Sequence, residues 1–146
     1  MLKASLQYTE MQRLKALHHL QILDTAADPA FDNLTQVAAS LFNVPIVLVS
    51  LVDEQRQWFK SRIGVSVCEL PRHDSFCGYA IQSDSIFIVE DTYLDPRFVD
   101  TSLVTGEPYI RFYAGVPIHA ENGLNVGTLC LIDTQPRQLS EADQRH

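Results

Sequence analysis

No apolar run in this chain reaches the roughly 18 residues that a membrane-spanning helix needs. No lysine–arginine cluster offsets an excess of acid either: 11 basic against 18 acidic residues leave a net charge of −7. A surface of that sign repels phosphate backbones, which argues against nucleic-acid binding. The first residues, MLKASLQYTEMQRL, lack the apolar centre and small-residue cleavage site of a signal peptide, so a cytoplasmic protein is expected. Only three cysteines are present, an odd number without a secretion signal, which points to free thiols and not to a disulfide framework. Neither C-x-x-C nor H-x-x-x-H occurs, so no structural metal site is expected.

What is present suits one globular domain. The chain has 146 residues, 46% hydrophobic and 20% charged, enough for a single core and too apolar for disorder. Thr9 and Gln12 have capping-box spacing, and Met11, Leu14, Leu17 and Leu20 then draw one apolar stripe along a helix. Residues 1–27 are expected to form an N-terminal helical segment that covers the sheet or pairs with a second subunit. A second helix is capped by Asp28, has Pro29 in its first turn, and is expected to bury Phe31, Leu34, Val37, Ala38 and Leu41 before ending at Asn43.

IVLVSLV (46–52) scarcely alternates, as a strand covered on both faces should not. The polar DEQRQ links it to WFKSRIG in a hairpin. A second hairpin joins IRFYAGVPIHA to NVGTLCLID through Glu121-Asn122-Gly123. Between the hairpins lie a small helix at 75–82, capped by Asp74 or Ser75, and the short strand IFIVED (86–91). A long connection comes next, with turn chemistry at Asp95-Pro96 and Gly106. Ser140 and Asp143 mark the start of a further helix over 140–146. The layout is α+β: an antiparallel sheet with helices on one face, the small helix and long loop on the other, and a covered pocket under the loop.

The blocks VPIVLVSLVDEQRQWFKSRIGV, ELPRHDSFCGYAI, VEDTYLDPRF, LVTGEPYIRFYAGVPI and GTLCLIDTQPRQLS resemble the GAF domain family. They are most like GAF domains of bacterial signalling proteins that precede diguanylate cyclase, PAS or histidine kinase modules. The resemblance runs in order from about Phe31 to Ser140. It implies a PAS-related, GAF-like twisted antiparallel sheet of about six strands, with helices on one face and a ligand pocket on the other. It also implies a non-catalytic sensory domain over 28–139 that binds an unidentified small molecule. Flanking helices would form a homodimer and pass a signal, through a helix truncated here at 140–146, to a catalytic output domain outside this chain.

One GAF-like group, the free methionine-(R)-sulfoxide reductases, is enzymatic. Its pattern places one cysteine about ten residues before a second that opens C-G-x-A, and a nucleophilic third after the V-E-D strand. Cys68 and Cys77-Gly78-Tyr79-Ala80 resemble the first two, but the residue nearest the nucleophile's position is Asp100, which has no thiol. A thiol redox enzyme or sensor using Cys68 and Cys77 is therefore the alternative, and a ligand-free dimerisation module a further one. The cyclic-nucleotide signature of related domains is absent, and residues 92–110 hold neither the cysteine nor the histidine a bilin would need. Haem would need an inward histidine, with His73 and His119 the candidates, and it is disfavoured too. The cofactor is thus left open.

Position along the chain nominates Trp58, Cys77, Tyr79, Ile81, Asp91, Phe98, Arg111 and Tyr113 as pocket residues. Either Trp58 or its neighbour Phe59 should face inward. Arg111 would bind a ligand carboxylate or phosphate, or else pin the loop by pairing with Asp91 or Asp95. Cys68 is expected in an accessible loop, and Cys77 and Cys130 as packed residues.

Overall fold

A computed structural model of the protein describes residues 2–72, 76–120 and 123–139, with side chains from Thr9 onward. The expected Asp74 or Ser75 cap, His73, the Glu121-Asn122 turn and the 140–146 helix lie outside the described residues. Helices α1 (Leu2–His19) and α2 (Pro29–Phe42) precede strands β1 (Ile46–Val52), β2 (Arg56–Ile63) and β3 (Glu69–Pro71). Next come the small helix α3 (Phe76–Ala80), strand β4 (Phe87–Val89), a 3-10 turn (Thr92–Leu94) and α4 (Ser102–Thr105), before the hairpin β5 (Phe112–His119) and β6 (Asn125–Asp133).

All six strands join one antiparallel sheet ordered β3-β2-β1-β6-β5-β4. The two central strands, β1 and β6, are covered on both sides, and every residue of β1 is buried. The edge strands β3 and β4 are three residues each. Along β1, Val47 and Leu51 turn to the helical face while Ile46 and Leu48 turn to the other. Opposite Val49 and Ser50, β2 carries a bulge at Lys60: Val49 pairs with Ser61 and Ser50 with Phe59. Phe59 faces away from the helices, while Trp58 packs with Leu17, Leu51 and Val126 beneath α1.

α2 begins as its sequence dictates. The Asp28 carboxylate accepts the Ala30 N–H at 2.9 Å, Pro29 occupies the first turn, and Asn43 closes the helix in the left-handed region at φ 54°. Its buried face matches expectation at Ala38 and departs from it on either side. Thr35 and Ala38 face the sheet, whereas Leu34, Val37 and Leu41 are 46%, 63% and 58% exposed. Small side chains let the helix approach closely enough for Thr35 Oγ1 to meet Ser61 Oγ at 2.9 Å, and Ser61 in turn donates to Asp32 at 2.6 Å. The leucines are turned aside by that contact.

α1 also departs from the pattern read in it. It starts well before Thr9, because nothing in the preceding residues breaks a helix, and only Leu17 of its stripe is fully buried, with Met11 and Leu20 exposed. Polar anchors hold it instead. Arg13, itself buried, donates to the Val52 carbonyl at 2.6 Å and to Glu10 at 2.9 Å. Arg72 reaches Glu10 from the far side of the β1–β2 turn at 2.5 Å, and His18 meets Asp53 at 2.9 Å.

Burial by itself would raise the Glu10 pKa, but the bonds from Arg13 and Arg72 outweigh it and hold the carboxyl at about 2, below its usual 4.5. The stabilisation is therefore present above pH 4.5 and lost as pH falls toward 2. Glu10 is a third exposed, so screening leaves about 1 kcal/mol. Glu10→Gln should lower stability by that amount at neutral pH, and the gap to the parent should narrow as thermal melts are taken down toward pH 3. A gap independent of pH would remove the ionised pair as its cause.

Candidate functional site

Under α3 and the long loop the sheet leaves a cavity of about 430 Å³. Ile46 and Leu48 of β1, Phe59 of β2, Tyr113 of β5 and Ile132 of β6 form its floor. Phe76 and Cys77 of α3 and Leu103 of α4 roof it, and Val65, Val67 and Leu70 close the side toward β3. Among the described lining residues Glu107 is the single charged side chain, with no lysine, arginine or histidine. Such a cavity receives an uncharged, largely apolar small molecule.

At one wall sits a buried polar cluster. Cys77 Sγ lies 3.4 Å from Cys130 Sγ, 3.2 Å from the Tyr113 hydroxyl and 3.1 Å from the Thr128 hydroxyl, which donates to it. Thr128 Oγ1 is also 2.9 Å from Cys130 Sγ. Ser50 donates to Gln57 Oε1 at 3.2 Å beside them. Tyr113 reaches Cys77 only because residue 115 is glycine: a Cβ there would stand 2.5 Å from the phenol oxygen. Burial alone would raise the Cys77 pKa, yet the hydrogen bonds it receives from Cys130, Thr128 and Tyr113 outweigh that and bring it down to about 6. Burial, together with the neighbouring thiols, pushes Tyr113 and Cys130 the other way. Of these three groups Cys77 is therefore the one most readily ionised.

The long loop is held down by two Arg–Asp pairs. The Asp91 carboxylate accepts the Tyr93 N–H at 3.0 Å and pairs with Arg111 at 3.1 Å, whose guanidinium lies 3.6 Å from the centre of the Tyr93 ring. Asp95 pairs with Arg97 at 2.7 Å, and that bond holds the Asp95 carboxyl below its usual range. Arg97 in turn covers the rings of Tyr79, Phe87 and Phe98 at 5.1 to 5.7 Å. Beneath it Phe98, 1% exposed, stacks on Phe76 with centroids 4.3 Å apart, and Phe76 stacks on Tyr113 at 5.0 Å.

Of the nominated residues, the structure brings Cys77 and Tyr113 to the cavity. Trp58 is a correction: the strand's alternation sends it to the helical face, and Phe59 takes the inward position. Tyr79 is 41% exposed on the outer side of α3, while Ile81 and Phe98 are core residues behind the lining. Asp91 and Arg111 pair with each other, the second of the two roles the sequence left open for Arg111. Cys68 is exposed, and the thiol beside Cys77 is Cys130. His119 and Asp100 are exposed as well. Sequence reasoning missed Ser50, Gln57 and Thr128. Their signal was present, since Ser50 and Thr128 interrupt otherwise apolar strands and sit cross-strand from each other. No helix among the described residues is long and apolar enough to cross a membrane, and no group of three or more metal-ligating side chains occurs among them.

Comparison with known proteins agrees with this architecture. A cyclic di-GMP phosphodiesterase of Pseudomonas aeruginosa is 47% identical over 135 residues, covering 92% of this chain but 23% of that protein. The chain thus spans under a quarter of its relative's length. The GAF domain of an Acinetobacter phosphoenolpyruvate-protein phosphotransferase superposes with a TM-score of 0.64 at 19% identity, over 93% of this chain and 84% of that one. A type II free methionine-R-sulfoxide reductase from Thermoplasma acidophilum gives 0.64 at 14% identity, over 80% of each. At those identities the two structures speak to the fold alone. The family model for the GAF domain, however, matches residues 26–145, which take in α2, the whole sheet and the loop, and on that extent the chain belongs to the GAF domain family.

Proposed function

We propose that this chain is a non-catalytic sensory domain whose cavity binds a small uncharged ligand and whose helices pass the bound state to an output domain. The observation that carries the reading is the cavity itself: about 430 Å³, apolar on nearly every side, and roofed by elements that differ from those forming its floor. Binding would tighten α3 and the loop onto the sheet. The relative's name concerns cyclic di-GMP, but an anionic dinucleotide would meet no cation among the described residues of this cavity. Cyclic di-GMP chemistry then belongs to the remainder of such a protein, with this domain as its input.

Residues 1–27 and the segment from 140 are the route outward, with a second copy of the chain as the expected partner along them. The exposed Leu34, Val37 and Leu41 support such a partner, because they leave apolar surface on the helical layer.

Native mass spectrometry of freshly purified protein reads both a retained small molecule and the copy number. Titration with the neutral apolar dye N-phenyl-1-naphthylamine supplies a defined probe, and micromolar affinity is expected. Val65→Trp, which fills the cavity from a loop position, should weaken the dye by about tenfold or more while the melting temperature holds. Equal dye binding by both proteins would end the ligand-pocket reading.

A further inference from the structure

We propose that Cys77 and Cys130 form an oxidisable dithiol in the cavity wall, and that the ligand reacting with it is an apolar organic hydroperoxide. The proposal rests on the ligand-pocket reading above and names the chemistry of that same site.

Three independent observations converge. Cys77 and its hydroxyl neighbour Tyr113 both line the cavity, so a molecule held there lies against the turn of α3 that carries the thiol. Cys130 Sγ stands 3.4 Å away on the central strand, within reach of a bond after a small movement of α3. The surrounding hydroxyls are arranged to donate: Thr128 donates to Cys77 Sγ at 3.1 Å and Tyr113 is placed to do so at 3.2 Å. A thiol that accepts from its neighbours is prepared as a thiolate, and the depressed Cys77 pKa agrees with the geometry.

The chemistry balances with these groups alone and the hydroperoxide ROOH. The Cys77 thiolate attacks the terminal oxygen, the O–O bond breaks, and the sulfur becomes a sulfenic acid while the alcohol ROH leaves. The proton lost by Cys77 reaches the departing alkoxide through the Tyr113 or Thr128 hydroxyl. Cys130 then attacks the sulfenic sulfur, expels hydroxide, and its own proton completes a water molecule. Two thiols are oxidised, one hydroperoxide is reduced, and a Cys77–Cys130 disulfide remains. Hydrogen peroxide can undergo the same steps, but it carries no apolar group for Leu48, Phe59 and Ile132 to hold.

The bond would tie α3 to β6. The neighbouring Asn125 Nδ2 already donates to the Ile81 and Ser83 carbonyls at 2.9 and 3.1 Å, so the far end of α3 is held as the disulfide forms.

The test uses the 146-residue chain carrying Cys68→Ser, which removes the exposed thiol without touching the core. Reduced protein is treated with cumene hydroperoxide or hydrogen peroxide, and the peptides are mapped by mass spectrometry. The expected result is a peptide containing Cys77 joined to one containing Cys130, at about tenfold less cumene hydroperoxide than hydrogen peroxide. Cys130→Ser should leave a Cys77 sulfenic acid that dimedone traps, and Val65→Trp should slow oxidation by cumene hydroperoxide by about tenfold. Both thiols remaining reduced while the dye still binds would overturn the dithiol and leave the pocket reading standing. Oxidation equally fast with either peroxide and unaffected by Val65→Trp would overturn the hydroperoxide assignment. Loss of the dye response alone counts against the pocket.

Discussion

Phe98→Ala is expected to destabilise the domain by about 3–5 kcal/mol, a large share of the roughly 5–15 kcal/mol that holds a typical domain together. Phe98 is almost wholly buried, comes from the long loop, and touches Phe76, Tyr79 and Phe87 while Arg97 lies over it. Removing its ring opens a void at the junction of loop, α3 and sheet, and none of these can collapse inward independently. Phe76, left with Tyr113 as its one remaining stacking partner, also forms the roof of the cavity, so dye affinity should fall along with stability. Urea unfolding measures the first and dye titration the second. Leu94→Ala, at a site 82% exposed in the same loop, is the control and should change stability by under about 0.5 kcal/mol. A Phe98→Ala loss below about 1 kcal/mol would mean that the loop packs on the sheet far more loosely than its contacts indicate.

Gly127→Ala should cost about 3 kcal/mol or more, although it adds a single methyl group. Its Cβ would lie 2.2 Å from the Ser50 carbonyl oxygen and 3.1 Å from the Leu51 Cα. Those are backbone atoms of β1, and β1 is held between β2 and β6, so neither strand can retreat without disturbing a third. Gly106→Ala is the informative comparison, because a Cβ there meets only the Ser102 carbonyl at 3.1 Å in a loop, and its cost should be much smaller. Equilibrium unfolding ranks the two. Equal effects would show that the central pair of strands separates more readily than the close approach implies.

Much of this fold can be read from the residues. The Asp28-Pro29 start of α2, the unbroken apolar β1 and the β5–β6 pairing each arise from local chemistry that tertiary contacts did not override. Orientation was harder. The apolar period of α2 is genuine, but hydrophobicity cannot tell which side meets the sheet, and the Thr35–Ser61 contact turned Leu34, Val37 and Leu41 outward. The same limit applied at β2, where two neighbouring aromatics offer equal hydrophobicity and only the pairing with β1 assigns Trp58 and Phe59 to opposite faces.

In the site, proximity along the chain suggested Cys68 as the partner of Cys77, whereas the fold supplied Cys130 from a strand 53 residues away. A pairing of that separation leaves no local trace. Arg111 was more legible: pairing with Asp91 was one of the two roles its position allowed, and the fold brings the two together.

The brevity of the outer strands has a consequence for how this protein behaves when concentrated. Four long strands form a sheet apolar enough to recruit further strands, and an open margin would invite growth by addition of other chains. β3 ends in Pro71, which has no N–H to offer, and places the charge of Glu69 at the border, while β4 is succeeded at once by the exposed Glu90. Each margin therefore gives a visiting strand three residues of backbone to pair with and a carboxylate to repel it. Lengthening either margin, for instance by replacing Pro71 and Glu69 with β-branched residues, would turn a self-limiting sheet into a template for filaments.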